Sequence, residues 1–294
     1  MSATPVRTQL TLRHVLMSSR PLSWVNTAFP FATTYLLTGG HPDAVWWIGT
    51  VFFLFPYNLA MYGINDVFDH ASDMLNPRKG GVEGSLLNPQ THRALLWVIA
   101  AVCVPWAVAL QALGNWVFTA VFTVTLFAVA AYSLPRLRFK ERPILDSLTS
   151  STHFSAPVWC ALALTQPPIN RELITILMAF FLWGVSSHAF GAIQDIVPDT
   201  EAGISSVATA FGARTIARAS TLLYLVSGLL LVNTSPPTMW ASAFAIPYCV
   251  NTARYWNIDN THSGEAHAGW RVFLWLNYLT GFGISLLMIW SAWH

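Results

Sequence analysis

The feature that most constrains this chain is a succession of long apolar runs separated by short polar segments. Hydrophobic residues make up 54% of the 294 residues, charged residues make up only 10%, and the mean hydropathy is +0.49. A helix needs roughly 20 mostly apolar residues to cross the hydrocarbon of a bilayer, and runs near that length recur along the chain. The sequence therefore predicts an all-α, polytopic membrane protein.

The apolar runs predict nine transmembrane helices. Their spans are 21–38, 45–64, 94–112, 116–133, 144–165, 173–193, 215–232, 237–256 and 270–291. No linker, charge run or low-complexity tract divides the chain, so residues 1–294 are predicted to form one domain.

Basic residues indicate the orientation in the membrane. On the nine-span map, all but one of the 15 Lys and Arg residues fall on one side, and only Arg171 lies opposite. Because Lys-rich and Arg-rich loops remain cytoplasmic, that side and the N-terminus are predicted to be cytoplasmic in a multi-pass cell-membrane protein. Residues 1–20 hold no long apolar core, so no cleaved signal peptide is expected.

Two acidic motifs with helical spacing follow apolar runs, about 130 residues apart. The first comprises Asn65, Asp69 and Asp73, and the second comprises Asp195 and Asp199. Residues four apart share a helix face, so each motif can direct its oxygens to one place. Such oxygens suit Mg²⁺, which is usually held by a few carboxylates, waters and substrate phosphates. The motifs predict Mg²⁺ sites that hold a diphosphate; the alternative, acids that only solvate loop ends, fits the repeated spacing less well.

The motifs follow the second and sixth predicted spans, an offset of four spans. This offset indicates that spans 1–4 and 5–8 are diverged copies. A pseudo-symmetric pair of this kind would bring the two motifs face to face, although two acidic loops can also coincide by chance.

Basic residues on the same predicted side could bind the diphosphate. Lys140 and Arg138 lie in the segment YSLPRLRFKERP, and Arg78 and Lys79 lie in NPRKGG, beside two glycines. Such cations neutralise the charge that develops on a departing diphosphate. Membrane topology alone would also account for any one of them.

Three ionisable residues near the membrane are further candidates. His188 lies seven residues before Asp195, His153 lies among Ser and Thr residues, and Asp146 opens the predicted fifth span. An ionisable residue at membrane depth suggests a function. The alternatives are neutral histidines that are hydrogen-bonded between helices and, for Asp146, a charge at a helix N-terminus.

The order of these motifs resembles the UbiA-type intramembrane prenyltransferase superfamily. The match comprises the first acidic motif, a Tyr-Ser pair followed by Arg and Lys, and a second acidic motif that leads into Gly203-x-x-Ser206. The resemblance implies nine helices around a cavity open laterally to lipid, and Mg²⁺-dependent transfer of a prenyl group from its diphosphate. It also adds Arg20, before the first span, to the diphosphate-binding candidates.

A closer resemblance, carried by stretches such as FFLWGVSSHAFGAIQDIVPDTEAG, is to the lycopene elongases of actinobacteria. It implies transfer from dimethylallyl diphosphate to the end of lycopene, giving a C45 or C50 carotenoid and free diphosphate. His153, His188 and Asp146 are then candidates for quenching the product cation or lining the cavity.

Two other interpretations stay open at this point. One is a UbiA-type enzyme with a quinone, haem or chlorin acceptor. The other is a cation-coupled transporter, which is disfavoured because transport sites tend to lie near the bilayer midplane. The bilayer is the expected partner, nucleic acid is not, and the sequence says nothing of a partner cyclase.

The predicted topology can be tested with a cysteine at position 73. In Asp73→Cys, a membrane-impermeant thiol reagent is expected to label the cysteine from the cytoplasmic face only. Mass spectrometry of oriented vesicles measures the labelling, and labelling from the opposite face would contradict the orientation.

Overall fold

The computed structural model describes residues 9–74 and 86–293, and every regular element in these two stretches is a helix. Six of the helical stretches are long and apolar enough to cross a membrane. They are Ala44–Phe68, Pro89–Leu113, Trp116–Ser133, Arg171–Ile193, Ala213–Val232 and Ser263–Ser291. The all-helical, multi-pass architecture predicted from the composition is confirmed.

The other three predicted spans also coincide with helices, which are shorter or more polar. Val25–Leu37 has 13 residues, or roughly 20 Å of helix, which falls short of the hydrocarbon thickness. Leu145–Thr165 has 21 residues but many Ser and Thr side chains. The eighth predicted span, 237–256, is divided into a 3-10 helix, Thr238–Phe244, and an α-helix, Ala245–Ala253. The count of nine therefore stays a prediction.

The chain is divided into two compact units. The first comprises Met1–Arg138 and Ala156–Pro167, and the second comprises Phe139–Ser155 and Pro168–His294. Each acidic motif lies in its own unit. That residues 1–294 form one domain remains a prediction.

In the first unit, a helix break at Pro56 is stabilised by polar side chains. Helix Ala44–Leu54 ends where Pro56–Phe68 begins, because proline has no N–H for the preceding turn. Asn58, which is fully buried, donates from its amide to the Phe53 and Leu54 carbonyls at 2.9 and 3.0 Å. These bonds satisfy carbonyls that lipid could not hydrate. The break thus starts the helix that carries the first acidic motif.

In the second unit, helices Arg171–Ile193 and Ala213–Val232 pack closely through small residues. Ser186 donates to the Ser220 carbonyl, and Ser227 donates to the Ala179 carbonyl, both at 2.7 Å. Small side chains let two helix backbones approach, and hydroxyl bonds to the facing backbone add to van der Waals packing in lipid. These contacts hold helix Arg171–Ile193, which precedes the second acidic motif, against helix Ala213–Val232.

Candidate functional site

The first acidic motif lies where a long helix ends and a short one begins. Helix Pro56–Phe68 ends at Asp69, and the four-residue helix His70–Asp73 follows. Helical hydrogen bonds nevertheless continue, since the N–H of Asp69 donates to the Asn65 carbonyl at 2.9 Å and the N–H of Asp73 donates to the Asp69 carbonyl at 2.8 Å. The three side chains of the motif are therefore separated by one helical turn each, as their spacing in the sequence predicts.

Asn65 orients Asp69. Its amide nitrogen donates to Oδ2 of Asp69, and also to Oγ of Ser133 at 3.1 Å. Asp69 is 2% exposed and Ser133 is 1% exposed, so the arrangement is almost removed from water. Ser133 is the last residue of helix Trp116–Ser133. The Tyr-Ser pair singled out in the sequence thus contributes its serine to the first acidic motif.

Arg138 approaches the same carboxylate from the loop after Ser133. Its Nη2 lies 3.4 Å from Oδ1 of Asp69, and its Nη1 donates to the Phe68 carbonyl, also at 3.4 Å. A cation at this place interacts favourably with the carbonyl end of a helix as well as with the carboxylate. The structure therefore brings Arg138, Asn65 and Asp69 together.

Arg20 is engaged by a different acid. Its guanidinium makes a bidentate ion pair with Asp66, with N···O distances of 2.5 and 3.1 Å, and it lies over the ring of Tyr62. Asp66 is 1% exposed and Arg20 is 7% exposed. A fully desolvated pair needs this kind of matched geometry, since an unpaired charge at that depth would be costly. Arg20, which lies between helix Leu12–Ser18 and the 3-10 helix Pro21–Ser23, therefore joins this part of the chain to the helix of the first motif.

The remaining basic candidates are less well defined. Lys140 lies half-buried in the 3-10 helix Phe139–Glu141. Arg78 and Lys79 lie outside the described residues.

The second acidic motif repeats the helix junction of the first. Helix Arg171–Ile193 ends at Gln194, and Asp195 then opens the short helix Ile196–Glu201. The N–H of Asp199 donates to the Asp195 carbonyl at 2.8 Å, so these two acids are also one turn apart.

Gln194 anchors this junction. Its amide nitrogen donates to the Gly191 carbonyl at 2.9 Å, and its oxygen lies 2.8 Å from Nδ1 of His267, at the start of the last helix.

Asp146 holds the segment that follows the second motif. Its side chain is fully buried, and its two oxygens accept from the N–H of Ser147 and the N–H of Val207, each at 2.6 Å. Val207 is the first residue of the short helix that comes after Asp199. Both oxygens of Asp146 therefore accept hydrogen bonds from backbone N–H groups.

Both histidines lie in the same unit as Asp146. Nδ1 of His188 lies 3.0 Å from Oγ of Ser147, so Ser147 links His188 to the residue beside Asp146. His153 lies seven residues beyond Asp146 on helix Leu145–Thr165 and is 3% exposed. Their predicted part in quenching a cation stays a prediction.

The oxygen donors of the two motifs fit Mg²⁺ better than a softer metal. Within residues 9–74 and 86–293, no group of three or more His, Cys, Asp and Glu side chains comes together that could hold a metal ion by itself. Mg²⁺ rarely uses such a cage and relies on a few carboxylates with phosphate oxygens and waters. Acids spaced by one turn, buried in the first motif and half-buried in the second, supply that kind of partial ligand set.

Sequence reasoning missed four residues that shape these sites: Asp66, Ser147, Gln194 and His267. Asp66 could have been found, because a carboxylate within the last turn of an apolar helix needs a partner when it is buried. Ser147 and Gln194 are sequence neighbours of Asp146 and Asp195 but belong to no pattern, whereas His267 is brought to Gln194 by the packing of the last helix.

The chain is similar to several proteins of known family. The model of the UbiA prenyltransferase family matches residues 27–293. The lycopene elongase/hydratase of Corynebacterium glutamicum is 49% identical, with 95% of this chain and 97% of that protein aligned. A C50 β-cyclic carotenoid biosynthesis protein of Dietzia sp. is 45% identical, with 96% of this chain and 65% of that protein aligned.

A solved structure shares the fold. A UbiA homologue of Archaeoglobus fulgidus, determined with dimethylallyl diphosphate and Mg²⁺ bound, superposes with a TM-score of 0.65 at 17% identity, covering 90% of this chain and 98% of the other.

Removing the Asp146 carboxylate should destabilise the second unit. In Asp146→Ala, two buried N–H groups lose their acceptor, which costs on the order of 2 kcal/mol or more of unfolding free energy. A lower unfolding temperature in detergent, followed by tryptophan fluorescence, is expected. Asp146→Asn, which keeps one acceptor oxygen, should fall in between. Glu265→Ala is the control, because Glu265 is an exposed acid of the same unit. Equal unfolding temperatures for Asp146→Ala and the control would show that the carboxylate holds nothing in place.

Proposed function

Since the chain belongs to the UbiA prenyltransferase family, we propose that it transfers the dimethylallyl group of dimethylallyl diphosphate to the end of lycopene. The products are a C45 or C50 carotenoid and diphosphate. The observation that carries the proposal is the 49% identity, over 95% of the chain, to a lycopene elongase/hydratase. Similarity to a C50 carotenoid biosynthesis protein supports the same acceptor.

The proposal includes the finer architecture. Nine transmembrane helices would surround a cavity open laterally to lipid, which would admit a long polyene from the bilayer. The acidic motifs and the N-terminus would face the cytoplasm, where a water-soluble diphosphate is available. The distribution of Lys and Arg supports this orientation.

Asn65, Asp69, Asp73, Asp195 and Asp199 are proposed to hold Mg²⁺. When bound, Mg²⁺ would supply the positive charge that lets the diphosphate leave. Asn65 keeps Asp69 oriented through their hydrogen bond. Asp146 supports the second motif through Val207. Electrostatic catalysis requires such positions to be fixed before substrate arrives, and these hydrogen bonds would meet that requirement.

Basic residues are proposed to receive the diphosphate. Arg138 lies at the first motif, and Lys140 follows two residues later. Arg78, Lys79 and Arg20 are further candidates from the sequence. Because Arg20 pairs with Asp66, it would also help to hold the helix of the first motif in position.

The proposed reaction breaks one C–O bond and forms one C–C bond. The C–O electron pair departs with the diphosphate and leaves an allylic cation. The terminal double bond of lycopene supplies the electron pair for the new C–C bond, which places a tertiary cation on the acceptor. That cation loses a proton or takes up water and then loses a proton. His153, His188, Asp146 and the released diphosphate are the candidate proton acceptors.

The acceptor can be tested directly. Membranes that contain the protein should convert lycopene, with dimethylallyl diphosphate and Mg²⁺, into longer carotenoids that chromatography and mass spectrometry resolve. Membranes from the same host without the protein are the control. Prenylation of a quinone, haem or chlorin acceptor without conversion of lycopene would replace the proposed acceptor while leaving the reaction class intact.

The metal-binding residues can be tested by neutralising one acid in each motif. Asp69→Ala and Asp195→Ala should each lower the turnover of lycopene by roughly 100-fold or more, because each removes a ligand that stabilises the departing charge. Asp259→Ala, an exposed acid far along the chain from either motif, should retain wild-type turnover. Near-normal activity in both motif variants, measured on folded protein, would remove the acids from the mechanism.

A further inference from the structure

We propose that His267 is a positioning residue for the second acidic motif, which holds the helix junction before Asp195 through a hydrogen bond to Gln194. The last helix of the chain thereby takes part in shaping the proposed Mg²⁺ site. The inference rests on the proposed function, since it concerns how the acids assigned to Mg²⁺ are kept in place.

The first step of the argument is the orientation of the Gln194 amide. Its Nε2 donates to the Gly191 carbonyl at 2.9 Å, so the other end of the amide, Oε1, faces His267. Oε1 can only accept, and it lies 2.8 Å from Nδ1 of His267. The geometry therefore assigns a hydrogen to Nδ1, which donates to Gln194 whether the ring is neutral or protonated.

The second step is the end of helix Arg171–Ile193, where Gln194 is the C-terminal cap. The last carbonyls of a helix lack partners within the helix, and the Gln194 side chain supplies a donor to Gly191. Gln194 is 7% exposed, so loss of the His267 donor would leave a buried amide oxygen short of a partner. The side chain would then have to turn toward water, and Gly191 would lose its bond. His267 thus stabilises the turn that leads into Asp195.

The third step is the anchorage of His267 itself. The residue before it, Ala266, is 1% exposed and packs in one apolar cluster with Ile193, the residue that ends the helix before the motif. Two residues after it, the Gly269 carbonyl accepts from the amide of Asn251, which is buried, at 2.9 Å. His267 therefore projects from a stretch of backbone that is held on both sides.

The fourth step is the close approach of the two helices around this bond. A Cβ added to Gly191 would lie 2.8 Å from the ring of Trp270, and a Cβ added to Gly269 would lie 2.8 Å from the ring of Phe190. Contacts that short would force the rings to move, so a glycine on each helix favours this close packing. The helices therefore stay near enough for the hydrogen bond between them to form.

The test measures Mn²⁺ binding to the purified full chain in detergent, with free Mn²⁺ followed by electron paramagnetic resonance. Asp195→Asn shows how much of the binding depends on the second motif. His267→Leu removes the donor and should weaken that part of the binding by roughly tenfold, because groups that hold metal ligands in place commonly change metal affinity by this factor when they are removed. His267→Asn, which is close to leucine in size, places an N–H where Nδ1 was and should restore Mn²⁺ affinity close to that of wild type.

Two further variants complete the design. His262→Leu makes the same substitution at an exposed position of the same unit and should leave Mn²⁺ affinity unchanged. Gln194→Met breaks the bond from the other side, so it carries the same expectation if His267→Leu does not fold. The double variant should bind Mn²⁺ no more weakly than the weaker single variant, because both changes remove one bond.

Turnover supplies a second measurement. In His267→Leu the Mg²⁺ concentration for half-maximal turnover should rise while the KM for lycopene stays unchanged. A general loss of structure would not produce that separation.

Equal Mn²⁺ affinities in His267→Leu and His267→Asn, or additive losses in the double variant, would overturn the positioning role. Asp195→Asn separates this inference from the proposed function. If Asp195→Asn weakens Mn²⁺ binding but His267→Leu does not, the metal site stands and the positioning role is wrong. If Asp195→Asn leaves Mn²⁺ binding unchanged, the proposed metal site at the second motif is itself wrong, and the inference falls with it.

Discussion

The cost of burying a carboxylate governs this structure. Asp66, Asp69 and Asp146 are each at most 2% exposed in a chain built to sit in lipid. Asp66 pairs with Arg20, Asp69 accepts from Asn65 and pairs with Arg138, and Asp146 accepts from two backbone N–H groups. Of these three acids, Asp69 is the one that belongs to a proposed metal site.

The helix junctions at both acidic motifs serve a common purpose. In each unit a long helix ends just before or at an acid, and a short helix carries the next acid one turn later. Ending a helix leaves backbone groups that need partners, which is tolerated at membrane depth only where protein or water supplies them. Such places would suit the charged, hydrated diphosphate that the proposed function puts there.

Much of the architecture could be predicted from the sequence. Apolar run lengths predicted an all-helical membrane protein, and the four-residue spacing of the acids predicted their one-turn separation. The count of spans was less accessible, because Val25–Leu37 is short and Leu145–Thr165 is polar. Hydropathy alone does not distinguish a helix that crosses the bilayer from one that is enclosed by other helices.

The residues that could carry charge chemistry can be read from the sequence, because acids and bases are rare in an apolar chain and stand out by position. Tertiary structure alone decided how they are paired. In the folded chain Arg20 pairs with Asp66, 46 residues away, and Arg138 pairs with Asp69, 69 residues away. Asp146 accepts a hydrogen bond from the N–H of Val207, 61 residues away. Partner choice depends on distances between helices that are far apart in the chain, and no local pattern records those distances.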